Sequence, residues 1–245
     1  MSEKLLEICT GDPEGVLEAF KGLADRVELC SDLPEGGLTP SIGLVQMASN
    51  FLPTNVLIRP RPGDFIYSVV EMTTMRMDIR TAVAAGASGV VFGMLTPDGN
   101  VNVRACRHLL SEAEGLENTF HRAFDLTPDP FRALEEIIDL GFSRILTSGQ
   151  QPTALAGADL IAELHERARG RIKIIAGGGV TPENAAEILR RSHADELHAS
   201  ARKRITSPMK YSGCVSMGRA DAIDGSRMAT DMDTVQAIRL ATYSI

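Results

Sequence analysis

The feature that most constrains this chain is an eightfold alternation along its whole length. Short apolar runs cover residues 4–9, 25–30, 55–59, 89–94, 118–123, 143–147, 173–176 and 195–199, and a segment of helical pattern follows each. Strict strand–helix alternation with short connections predicts a parallel sheet. Eight such units in 245 residues suit a closed α/β barrel, the (β/α)₈ TIM barrel, better than an open Rossmann sheet. The expectation is a single TIM-barrel domain over 1–245, since barrels of this size commonly form one domain.

Local signals mark the helices. Asp12-Pro13, Thr39-Pro40, Thr127-Pro128 and Thr181-Pro182 each offer an N-cap followed by proline at the first helical position. Gly22, Gly86 and Gly141 suit C-terminal caps. A helix over 129–140 places Phe131, Leu134 and Ile138 on one face, and a last helix near 231–243 does the same with Val235 and Ile238. One connection breaks the rhythm. Residues 202–230 are polar, with little periodicity, and a loop that long is expected to be a lid, a binding loop or an oligomer arm.

Several functions are disfavoured by composition. A net charge of -7 argues against a general nucleic-acid or anionic-membrane binder. There is no signal-peptide pattern and no apolar stretch of spanning length, so a soluble cytoplasmic protein is expected. Cys9, Cys30, Cys106 and Cys214 are far apart without CxxC spacing, unlike a disulfide framework or a zinc finger. Lys4, Lys21 and Lys173 all avoid strand ends, which ranks a Schiff-base aldolase low.

In a barrel, working residues sit at the C-terminal strand ends and in the loops that follow. Those positions carry Glu7 and Cys9, Glu28 and Cys30, Arg59 and Arg61, then His121, Arg122 and Asp125. Ser148, the Gly177-Gly178-Gly179 turn, and His198 with Ser200 complete the set. Period-two alternation puts Glu7 with Cys9, and Glu28 with Cys30, on one face of adjacent strands. If those faces point inward, the two thiols approach each other and would suit Cu(I), while the carboxylates and His121 suit a harder ion. Equally, Cys9 and Cys30 fit as small buried hydrophobes. Glu7 and Glu28 could instead form ion pairs with Arg59 or Arg122. His121 with Arg122 and Asp125 resembles an acid–base cluster. The glycine turn after the seventh strand sits where barrels often bind phosphate, or it is simply a tight turn.

Ordered motifs run along essentially the whole chain. They are Leu6-Glu7-Ile8-Cys9, Ala24-Asp25-Arg26-Val27-Glu28-Leu29-Cys30, Glu35-Gly36-Gly37-Leu38-Thr39-Pro40-Ser41 and Ile58-Arg59-Pro60-Arg61 with Gly63-Asp64-Phe65. Asp98-Gly99-Asn100, residues 119–125, Arg144-Ile145-Leu146-Thr147-Ser148-Gly149, Gly177-Gly178-Gly179 and Glu196-Leu197-His198-Ala199-Ser200-Ala201 follow. Together these motifs resemble the CutC family of copper homeostasis proteins, and the resemblance implies a cytoplasmic TIM barrel, a homo-oligomer (dimer or tetramer), with Cys9 and Cys30 as proposed Cu(I) ligands. Pro62 stands where many relatives have glycine. The residue chemistry also supports a barrel enzyme, an isomerase, epimerase or lyase acting on a small anionic, possibly phosphorylated, metabolite. Arg59, Arg61, Gly178 and Gly179, with Ser148 and Ser200, would then hold the anion. His121 with Glu28 or Glu7 would move protons, alongside Arg122, Asp125 and His198.

Overall fold

Short runs of branched aliphatic residues become strands because such side chains fill a sheet buried on both faces. In the computed structural model, which describes residues 4–210 and 225–243, eight of them close into a parallel barrel. These are β1 (Leu5–Thr10), β2 (Arg26–Leu29), β3 (Thr54–Leu57), β4 (Gly89–Phe92), β5 (Glu117–Phe120), β6 (Arg144–Thr147), β7 (Lys173–Gly177) and β8 (Glu196–Ala199). Each strand pairs with the next, and β8 pairs with β1. The helices are α1 (Pro13–Lys21), α2 (Ile42–Ala48), α3 (Val69–Ala84), α4 (Val103–Leu110), α5 (Pro130–Leu140), α6 (Ala158–Ala168), α7 (Ala185–Ser192) and α8 (Met232–Thr242).

The two faces of the barrel wall differ in chemistry. Leu6, Ile8, Val27, Leu29, Ile145 and Ile174 are fully buried and belong to one apolar core with Val16, Met75, Leu134 and Ile188 of the helices. The inward positions of β1, β2 and β8 are polar instead, beginning with Glu7, Arg26 and Glu196. Arg26 donates to Glu7 at 2.6 Å and to Glu196 at 2.5 Å. Glu196 also accepts from Arg144 at 3.0 Å, and Arg144 reaches Glu117. Asn55 adds a hydrogen bond to Glu7 at 3.3 Å. Charges this deep persist only when paired, so this network decides which strands can meet.

Three of the four proline-marked helix starts are displaced. Asp12 caps α1 with Pro13 in its first turn, as the sequence predicts. The helix after β5 begins instead at Asp129-Pro130: the Asp129 carboxylate accepts from the amides of Phe131 and Arg132, while the Thr127 hydroxyl donates back to Phe124 O. A residue before proline is kept out of the helical region, and the later of two such pairs sets the start. Ser41 caps α2 in place of Thr39. A turn after Thr181 delays α7 to Asn184, whose side-chain oxygen accepts from the Thr181 amide.

The polar excursion after β8 also has order that its sequence did not show. β9 (Arg202–Thr206) and β10 (Ser226–Thr230) pair as an antiparallel ribbon, and residues 211–224 of the excursion, with Cys214, lie outside the described residues. Arg227 pairs with Asp12 at 3.1 Å, Lys203 pairs with Asp231, and Thr230 donates to Thr10 at 3.1 Å. Gly15 packs against this contact: a Cβ there would lie 2.0 Å from Thr10 Oγ1 and 3.2 Å from Thr230 Oγ1.

Replacing Arg26 with Met should strand the Glu7 and Glu196 carboxylates and cost about 3–5 kcal/mol of folding free energy. Urea unfolding measures it. Arg132→Ala, which removes only an exposed ion pair on α5, should cost about 1 kcal/mol or less in the same assay.

Candidate functional site at the barrel mouth

Above the ion network the barrel opens into a cavity of about 360 Å³. Cys9, Glu28 and His198 form one wall, Leu57 and Leu146 lie deep, and His121, Arg122, Gly178 and Gly179 face them from β5 and β7. Arg59, Phe65, Val180 and Ser200 complete the rim.

The first wall follows from strand register. Cys9 is level with Glu28, and Glu7 is level with His198, because β1 lies between β2 and β8. Cys9 Sγ lies 3.6 Å from Glu28 Oε1 and 3.6 Å from Cys30 Sγ. Potential ligand atoms of Cys9, Glu28 and His198 fall within 4.8 Å of one another. Cys30 is fully buried behind Cys9, packed with Leu57 and Val91, and its thiol contacts Thr10 O. The two thiols therefore do converge inside the barrel, but only Cys9 faces the cavity.

Neither glutamate pairs with Arg59 or Arg122. Glu7 lies below the cavity, held by Arg26 and by His198 Nδ1 at 2.8 Å. Burial alone would raise the Glu7 carboxyl, yet Arg26 and His198 hold it well below the usual carboxylate range. Burial raises the Glu28 carboxyl against the pull of His198, with the Glu7 charge adding to the rise. Burial disfavours a charged His198, but Glu28, Cys9 and Glu7 overcome it and push this imidazole well above its usual value. The adjacent Cys30 thiol and burial hold the Cys9 thiol well above its usual value.

The opposite wall behaves differently. His121 Nδ1 accepts from the Ala123 amide at 3.2 Å, which leaves the ring proton on Nε2. That Nε2 is buried with no partner among the described residues. Burial and the Arg59 charge push His121 down to about 3, although its own backbone opposes the fall. Phe65 covers the ring at 4.6 Å between centroids, and Gly93 leaves it room, since a Cβ there would lie 2.7 Å from Nδ1.

The arginines are largely committed. Arg59 donates to Glu35 O, Gly37 O and Gly63 O, each at 2.9 Å, so it braces two loops while still lining the cavity. Arg61 turns back onto Glu71, Asp64 and Ile66 O, away from the cavity. Arg122 pairs with Asp125 at 2.8 Å and donates to Ser148 at 2.7 Å. Asp125 also accepts from the amides of Ser148 and Gln150, so it shapes the loop after β6 and does not join His121. Ser148 is fully buried beneath Arg122. Sequence reasoning missed Arg26, the partner that fixes Glu7. Its signal was present, since Arg26 alternates with Glu28 and Cys30 on one face.

The CutC family model matches residues 4–203 of this chain. The chain belongs to the CutC family. A CutC family protein from Bacteroides fragilis is 47% identical over 249 residues, spanning 100% of this chain and 98% of that protein. The human copper homeostasis protein cutC homolog is 44% identical over 245 residues, covering 98% and 90% of the two chains. The crystal structure of CutC from Streptococcus agalactiae superposes with a TM-score of 0.77 at 34% identity, covering 80% of this chain and 98% of that one. This CutC-family chain has no helix, among its described residues, long and apolar enough to cross a membrane.

The two cavity histidines should titrate oppositely. His121, pushed down to about 3, stays neutral with its proton on Nε2 as pH falls through 6, whereas His198 holds its second proton well above its usual range. Ring ¹⁵N shifts measure both. A His121 that does not bind a proton until about pH 3 also costs stability as pH falls below about 6.5, because the unfolded imidazole gains that proton first.

Proposed function

We propose that this CutC-family chain serves copper homeostasis by binding one Cu(I) ion at the barrel mouth, through the sulfurs of Cys9 and Cys30 with the His198 imidazole beside them. One observation carries the reading: two thiols 3.6 Å apart lie on adjacent strands, with a histidine nitrogen within 4.8 Å of Cys9 and an open cavity in front. Soft sulfur donors with an imidazole select Cu(I) over hard divalent ions. Cys9, Cys30 and Cys106 are free, which suits a reducing compartment such as the cytoplasm. Both thiols and the protonated His198 imidazole must lose protons to ligate, so affinity rises with pH.

Anaerobic Cu(I) titration against a competing chelator tests this. The wild type should take up one equivalent. Cys9→Ser/Cys30→Ser should weaken binding at least 100-fold with an unchanged circular dichroism spectrum, and Cys106→Ser should leave it intact. Weak uptake that ignores the double substitution would make these cysteines packing residues.

A separate observation supports an acid–base reaction in the same cavity. Its volume suits a small organic molecule, and Glu28 Oε2 and His121 Nε2 are both buried without partners. A carboxyl with raised proton affinity and a neutral imidazole on opposite walls could exchange protons with a hydroxy-carbonyl compound between them. Incubation with a pool of small anionic metabolites in deuterium oxide should then yield a deuterated product by mass spectrometry. Glu28→Gln and His121→Gln should each reduce its rate at least 100-fold, and label uptake unchanged by both would end this reading.

A further inference from the structure

The main chain at Gly178, Gly179 and Val180 is built in a way that neither copper nor proton transfer requires. Gly178 has φ +113° and Gly179 φ +70°, conformations that L side chains rarely adopt. A Cβ on Gly178 would lie 3.2 Å from Ser148 Cβ, and one on Gly179 would lie 3.1 Å from Thr153 Cγ2. The carbonyls of this turn are already used. Gly178 O accepts from the Ala154 amide at 2.9 Å, and Gly179 O accepts from Asn184 Nδ2 at 2.8 Å.

Planar trans peptides give those two bonds a consequence. A carbonyl and the following N–H point in opposite directions, and the described chain has no cis peptide. With the Gly178 and Gly179 carbonyls turned into the loop braces, the N–H groups of Gly179 and Val180 point the other way. All three residues line the cavity, and among the described residues none of their amides has an acceptor. Arg122 adds a cation. Its Nε and one terminal nitrogen hold Asp125 and Ser148, and its remaining Nη1 lies 3.6 Å from where a Gly178 Cβ would sit. Gly177 is level with His198 on the paired β8, so Ser200 follows on the strand next to this turn, and it lines the cavity.

We propose that the Gly178–Val180 amides, Arg122 and Ser200 form a subsite for the phosphate of a small phosphate monoester, whose hydroxyl-bearing end lies between Glu28 and His121. Successive amides, a guanidinium and a hydroxyl supply more donors than a carboxylate accepts, and they suit the terminal oxygens of a dianionic phosphate. The independent observation is in the same cavity. Buried and unpartnered, Glu28 Oε2 and His121 Nε2 supply an acceptor and a donor for hydroxyl groups in a cavity that Leu57 and Leu146 also line. The inference deepens the acid–base reading by naming its ligand class. It is tested by binding alone, so failure of turnover and failure of the subsite are separate results.

The experiment is isothermal titration of the metal-free protein with inorganic phosphate, glycerol phosphate and glycerate. Glycerol phosphate should bind at submillimolar concentration and at least tenfold tighter than glycerate. Arg122→Gln and Gly179→Ala should each weaken glycerol phosphate and inorganic phosphate at least tenfold, whereas His121→Gln should weaken glycerol phosphate only. Asp98→Asn, outside the cavity lining, controls for surface charge and should change nothing. Absence of heat with either phosphate at 10 mM, tighter glycerate binding, or affinities that ignore both Arg122→Gln and Gly179→Ala in folded protein would overturn the proposal.

Discussion

The contact on which the barrel and its site both depend is the buried guanidinium of Arg26 between Glu7 and Glu196. It ties β2 to β1 and, through Glu196, to β8 and Arg144 of β6, so strands far apart in sequence share one charge network. A single buried arginine among apolar side chains would be very costly, and two carboxylates without it would repel. With all partners present, the network defines one closed arrangement. It also fixes Glu7, whose other oxygen holds the ring of His198. The orientation of a cavity side chain is thus set from below by an ion pair that never meets solvent.

Above that layer the two cavity walls follow different electrostatic rules. On the β8–β1–β2 side, carboxylates and thiols surround an imidazole and favour its charge, while burial opposes ionisation of Glu28. On the β5 side, an imidazole of the same intrinsic basicity is buried beside Arg59 and Phe65 and stays neutral. Identical residue types therefore take opposite protonation states across one small cavity, because one has acidic neighbours and the other has a cation.

Much of this was legible in the sequence, for identifiable reasons. Eight apolar runs gave the barrel, since a period of short strands and amphipathic helices has few closed solutions. Two-residue alternation put Cys9 and Cys30 on inward faces of neighbouring strands, and they do meet. His198 could be recognised as a strand end, but not as the partner of Glu7 and Cys9, because that contact exists only when the eighth strand closes on the first. Alternation places Arg26 on the face of Glu28 and Cys30, but its ion-pair role was hidden for a related reason: Glu196 lies 170 residues away and stands beside it only in the closed barrel. The helix starts failed where two capping signals compete within a few residues, as Thr127-Pro128 and Asp129-Pro130 do. The ribbon of Arg202–Thr206 and Ser226–Thr230 failed because its strands lack apolar alternation and are stabilised by mutual pairing and by docking on Asp12 and Thr10.

The seam between β1 and β8 also imposes an order of events in the cell. Cys9 and Cys30 leave the ribosome well before His198 and the strand that carries it. Domains fold as units during synthesis, and here the unit closes only when its last strand meets its first. Until then the two thiols belong to an unfinished sheet edge, accessible to any oxidant or metal nearby. Protection of these cysteines during translation therefore depends on the surrounding compartment, and afterwards on the barrel itself.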